Sequence, residues 1–81
     1  MSASEITARL VDALTNAATQ EAGGATALVS VTVDVLGGGE AGSVRTTLVR
    51  KTRTLVFMSA EFRTSAGERI ATASSVHKLT T

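Results

Sequence analysis

The apolar residues of this chain follow two periods in succession. Over residues 3–21, Ile6, Leu10, Ala13, Leu14 and Ala17 recur at helical spacing, with Val11 and Ala18 widening the stripe. Glu5, Arg9, Asp12, Asn16 and Thr19 fall on the other side. Ser2 and Glu5 have the spacing of a capping box, with Ser2 as N-cap. Gly23-Gly24 supplies the stop, because glycine adopts the left-handed C-cap conformation without strain. One long amphipathic helix is predicted.

From Thr26 onward the period shortens to two. Thr26 to Leu36 alternates, with Val29, Val31, Val33 and Val35 on one face and Ser30, Thr32 and Asp34 on the other. Val44 to Lys51 predicts a second strand and Leu55 to Arg63 a third, whose apolar face is Val56, Met58, Ala60 and Phe62. Ile70 to Leu79 predicts a fourth, small and polar in its middle, which suits close approach by a helix or another subunit. Turns fall at Lys51-Thr52-Arg53 and at Ser65-Ala66-Gly67-Glu68, with Gly67 as the left-handed residue. The prediction is an α+β domain over residues 1–81, one long helix packed on a four-stranded antiparallel sheet.

Composition adds a constraint on stability. At 81 residues with no cysteine, the chain has neither disulfides nor thiolate metal sites to staple it. A chain of this size buries about 60–65% of its unfolded surface. Phe57 and Phe62 are the only aromatic residues, so Val, Leu, Ile and Ala must build the core. Association is the remaining source of stability, and a homodimer or homotetramer is expected. Eight basic and seven acidic residues nearly cancel, and no basic stripe with stacking aromatics points to nucleic acid. No apolar run is long enough to span a membrane, and the N-terminus lacks a signal-peptide pattern, so a cytoplasmic location is expected.

Candidate chemistry is sparse. The loop Gly37-Gly38-Gly39-Glu40-Ala41-Gly42 leads into a strand, whereas a phosphate-cradling loop leads into a helix. His77 is the single histidine, has no ligand-spaced partner, and is expected to be partly exposed. Ser4, His77 and Asp12 are the residue types of a Ser-His-Asp arrangement, without spacing that supports one. Asp34, Glu61 and Arg63 are expected to pair across strands. By helical position Asp12 is a solvated residue opposite the apolar stripe, and Ser4 belongs to the first turn.

The stretches VSVTVDVL, GSVRTTLVRKTRTLVFMSAEF and AGERIATASSVHKL, together with helix residues LVDALTNAA, resemble the hotdog-fold acyl-CoA thioesterase and dehydratase superfamily. In that family a curved antiparallel sheet wraps a long central helix. The resemblance implies a sheet with the first strand beside the fourth and the second at the opposite edge. Members usually carry a further strand ahead of the helix, so the second strand is expected to present an open edge.

The resemblance also implies an acidic catalytic residue on the helix, which falls at Asp12. Many members place a His-Gly-Gly element ahead of the acid, where this chain reads Ala3-Ser4-Glu5. The fluoroacetyl-CoA thioesterase type instead uses a hydroxyl residue eight positions before the acid, a spacing that Ser4 and Asp12 share. The later histidine of that type would fall near Gly38, and the glycine common at the second hairpin is replaced by Thr52. The implied function is hydrolysis of small or medium acyl-CoA thioesters between subunits, with Asp12 as base or nucleophile and Ser4 assisting. Arg50, Lys51 and Arg53 would meet the coenzyme A phosphates. Coenzyme A enters as part of the substrate; no resident cofactor and no metal are implied. The alternatives are a non-catalytic hotdog module that binds acyl-CoA or a partner protein, and a cystatin-like binding module with the same element order.

Overall fold

The computed structural model describes residues 2–38 and 42–80. Its elements are α1 (Ala3–Ala22), β1 (Thr26–Val35), β2 (Ser43–Lys51), β3 (Leu55–Arg63) and β4 (Arg69–Leu79). The strands form one antiparallel sheet in the order β1-β4-β3-β2, with α1 across one face. The protein is thus an α+β domain of one helix on four strands, with β1 and β2 at the edges. Residues Gly39 to Ala41 of the glycine loop lie outside the described residues.

Both ends of α1 are built as their sequence dictates. The Ser2 hydroxyl accepts from the Glu5 amide, and the Glu5 carboxylate accepts from the Ser2 amide, each at 3.2 Å. This reciprocal pair satisfies two donors that the first turn leaves open. Gly23 closes the helix at φ 70°, and its amide reaches the Thr19 and Gln20 carbonyls. No basic residue lies in the last turn. Lys51 of β2 serves instead, its ammonium donating to the Glu21 carbonyl at 2.7 Å. A cation there complements the negative end of the helix dipole.

The core is the contact between one helix stripe and one sheet face. Ile6, Leu10, Leu14 and Ala18 are buried against Val56, Met58, Ala60 and Phe62 of β3 and Ile70, Ala71 and Ala73 of β4. Ala17, Ala22, Val31, Val33, Val44 and Leu79 pack around its margin. The small residues in the middle of β4 therefore lie under the helix. The turn between β2 and β3 is held by Thr52, whose hydroxyl accepts from the Leu55 amide at 3.0 Å while its own amide donates to the Leu55 carbonyl at 2.8 Å. Side-chain and backbone bonds of Thr52 thus close the turn without a glycine.

Three bulges modify the alternation. Register shifts leave Val29 of β1 and Val49 of β2 as extra residues, one on either side of the level of the Phe57–Val76 pair. The expected four-valine face of β1 is corrected accordingly: Leu28, not Val29, opposes His77 and shares a face with Val31, Val33 and Val35. A third shift in β4 skips Ile70, so the consecutive residues Ile70 and Ala71 are both buried. Bulges bend an edge strand and sharpen its twist, which blunts it for strand addition.

Gly42 precedes β2 where the backbone of Arg63 and Thr64 crosses it. A Cβ at this position would overlap the Arg63 carbonyl oxygen and the Thr64 backbone, neither of which is a flexible side-chain end. Gly42→Ala is expected to cost about 1–3 kcal/mol of stability in urea unfolding. Gly37→Ala, which meets nothing within 4 Å, should cost distinctly less. Equal effects would show that the close approach at Gly42 does not constrain the fold.

Candidate functional site

Asp12 lies midway along α1, and Ser4 in its first turn; both are exposed. At 3.6 residues per turn, Asp12 points roughly 160° away from the stripe of Leu10 and Leu14. Ser4 is eight residues earlier, roughly 12 Å along the axis and about 80° around it. The two side chains share the outward side of the helix without converging. Among the described residues, neither makes a side-chain hydrogen bond. A dyad from this pair needs a third component between them, whether substrate or a second subunit.

The three basic residues of the β2–β3 hairpin are likewise distributed. Arg50 opposes Phe57 on the sheet face away from the helix, whereas Lys51 opposes Val56 on the helix side. Lys51 is engaged at the helix C-terminus, and Arg53 is exposed in the turn. These cations bracket the hairpin but do not form one fork on one face.

His77 departs most from expectation. It is not a partly exposed strand residue: its side chain is fully buried, on the helix-facing side of β4 between Leu28 of β1 and Val56 of β3. Its Nε2 lies 2.7 Å from the hydroxyl of buried Ser75, two residues earlier on the same face. Among the described residues its Nδ1 has no hydrogen-bond partner. Burial penalises the imidazolium and holds the His77 pKa below the ordinary value. The sequence signal was parity: Ala71, Ala73, Ser75, His77 and Leu79 alternate down one face of β4. None of the first four is a large apolar residue that would mark the face as buried.

The Ser75–His77 contact joins a nucleophile type to a base type, but it lies beneath the helix, and no carboxylate orients the imidazole through Nδ1. Ser4 and Asp12 are on the far side of the same helix, so no Ser-His-Asp arrangement forms from Ser4, His77 and Asp12. The pair is a buried polar contact within the core. Among the described residues, no group of three or more His, Cys, Asp or Glu side chains is placed to hold a metal ion. Among the described residues, no helix is long and apolar enough to cross a membrane.

The expected cross-strand pairing of Glu61 and Arg63 is corrected too. Arg63 pairs along its own strand, Nε to Glu61 Oε1 at 3.0 Å and Nη2 to Oε2 at 3.3 Å. Two residues apart on one strand, they share a face, and the Arg63 hydrogen bond lowers the Glu61 pKa. Asp34 opposes Thr72 and forms no ion pair among the described residues. Comparison of the chain with protein-family models and with curated proteins gives no match.

The buried imidazole makes stability depend on pH with a definite sign. The unfolded chain takes up the His77 proton near pH 6.5, and the folded chain only at lower pH. Between those values the unfolded state binds more protons, so stability falls as pH drops, by up to about 1.4 kcal/mol per pH unit. The depressed pKa values of Glu5 and Glu61 act below about pH 4.5 and do not enter this window. Unfolding free energies at pH 7.5 and 5.5 should differ in the wild type and nearly coincide in His77→Leu. A wild-type stability independent of pH over that interval would contradict a buried neutral His77.

Proposed function

We propose that this chain is a hotdog-like acyl-CoA thioesterase that binds a small or medium acyl-CoA at an interface between its own subunits. The observation that carries the reading is the architecture: a 20-residue helix across an antiparallel sheet in the order β1-β4-β3-β2. That is the strand order the sequence resemblance implies. Asp12 on the outward side of the helix is the base that activates water, or the nucleophile. In the base route a water oxygen bonds to the thioester carbon, its proton passes through Asp12 to the leaving thiolate, and the carbon–sulfur bond breaks. In the nucleophile route the Asp12 oxygen displaces the thiolate to leave an acyl anhydride, which water then cleaves to the free acid, giving its proton to the thiolate. Because Ser4 and Asp12 of one helix stand roughly 12 Å apart, the donors that would face the developing oxyanion, the helix N-terminal amides and the Ser4 hydroxyl, would come from the subunit opposite the one that supplies Asp12.

Exposed apolar residues on both sheet edges support the association that this reading needs. Leu28, Val29, Val35 and Leu36 on and beyond β1, and Leu48 and Val49 on β2, stay between 38% and 64% exposed. A second subunit would supply the missing wall between Ser4 and Asp12. The second reading is a non-catalytic module of the same fold that binds acyl-CoA or a partner protein. It is favoured by the lack of any hydrogen-bond partner holding Asp12 or Ser4 in a reactive orientation among the described residues.

Hydrolysis of a panel of acyl-CoA thioesters, followed by released thiol, separates the two readings. Turnover with a chain-length preference is expected, reduced at least 100-fold in Asp12→Asn, as loss of a general base predicts. Sedimentation on the same preparation should show a dimer or tetramer. A monomer without turnover would leave neither the interfacial site nor the thioesterase standing. An oligomer that binds acyl-CoA without turnover would point to the non-catalytic module.

A further inference from the structure

The sheet face away from the helix carries a built arrangement that the proposed thioester site does not use. Cross-strand register places side chains of this face in rows. One row runs Asp34–Thr72–Glu61–Arg45, and the next runs Thr32–Ser74–Ser59–Thr47. A third row contains Val76, Phe57 and Arg50. The middle row is therefore a line of four hydroxyls crossing all four strands. It lies between a charged row and one with a half-buried phenylalanine and valine. Beside the charged row, the short hydroxyl side chains leave an open groove of about 450 Å³ over β2, β3 and β4, lined by Arg45, Thr47, Ser59, Glu61 and Thr72 with Ala60 and Ala73. That volume is in the range of small-molecule sites.

The charges in this groove are already sorted. The Glu61 carboxylate is held by Arg63 through both oxygens, and Arg63 is itself tied to the Gly67 carbonyl at 2.9 Å. Arg45, opposite Glu61 on β2, makes no ion pair or side-chain hydrogen bond among the described residues. Its guanidinium offers a planar fork of donors at one end of a hydroxyl floor. Each Glu61 oxygen retains a lone pair that can accept from a ligand hydroxyl.

We propose that this groove is a binding site for a small hydroxylated phosphate ester, of the sugar-phosphate or polyol-phosphate class. Arg45 anchors the phosphate in bidentate fashion. Thr47, Ser59 and Thr72 bond the hydroxylated part, and Glu61, immobilised by Arg63, accepts from one of its hydroxyls. The site lies on the opposite side of the sheet from Asp12 and Ser4. Loss of the thioesterase reading would leave it intact.

Titration of the ¹⁵N-labelled protein with ribose 5-phosphate tests the site, with ribose and inorganic phosphate as separate arms. Saturable shifts are expected at the amides of Thr47, Ser59 and Thr72. Binding should weaken at least tenfold in Arg45→Gln, an exposed edge-strand substitution whose folding the same spectra report. Ribose should bind at least tenfold more weakly than the ester, and so should inorganic phosphate. Absence of saturable shifts, or equal affinity in Arg45→Gln, would overturn the site. Ribose binding as tightly as the ester would overturn the Arg45 anchor. Inorganic phosphate binding as tightly would overturn the assignment to a hydroxylated ester.

Discussion

Everything in this molecule depends on burying one stripe of one helix. Ile6, Leu10, Leu14 and Ala18 have no other apolar surface to meet, and neither has the inner face of β3. A lone helix of this length is marginal in water, and the sheet without it would leave its apolar inner face to solvent. Full burial of a leucine or isoleucine contributes about 1.5–3 kcal/mol, so the three large helix residues together contribute about 5–9 kcal/mol, comparable to the whole net stability of a small domain. The pieces also match in length. Twenty helical residues span about 30 Å, close to the span of strands of nine to eleven residues. Ala71 and Ala73 of β4 complete the apolar floor beneath the helix, and Lys51 ties its open C-terminal carbonyl to the edge of the sheet.

That contact decides where chemistry can be. A helix that gives one side to the core must present the other outward, so Asp12 and Ser4 are available to a ligand or a subunit but unsupported by their own fold. The polar groups beneath the helix, Ser75 and His77, have the opposite condition: they meet at hydrogen-bond distance yet are sealed from solvent. A buried imidazole with one bonded nitrogen is tolerable only while neutral, since a charged ring would need partners the core does not supply. The core thus trades packing volume for sensitivity to acid.

The two faces of the sheet follow from strand parity and differ in kind. The inner face is apolar along β3 and small along β4. The outer face sorts into charged, hydroxyl and apolar rows because residues opposite one another in register stand side by side. Edge bulges at Val29 and Val49 interrupt both outer strands at adjacent levels. They leave exposed valines where a continuous ladder would have invited another strand. The uncovered apolar residues of β1 and β2 show that one helix is too narrow to cover four strands.

Local chemistry alone determined the elements of this protein. The Ser2–Glu5 box, the glycines at 23 and 67, the helical stripe and the alternation of β3 are each encoded within a few residues, and each formed as that coding dictates. Strand order was not legible in the periodicity, which says which face a residue takes but not which strand lies beside it. Bulges were not legible, since one extra residue in an apolar run leaves no mark until a partner strand fixes the register. The burial of His77, the pairing of Glu61 with Arg63 along one strand and the recruitment of Lys51 to the helix end all belong to tertiary structure. They depend on distances between segments remote in sequence, or on which of several partners wins. Only the packing of helix on sheet sets those distances.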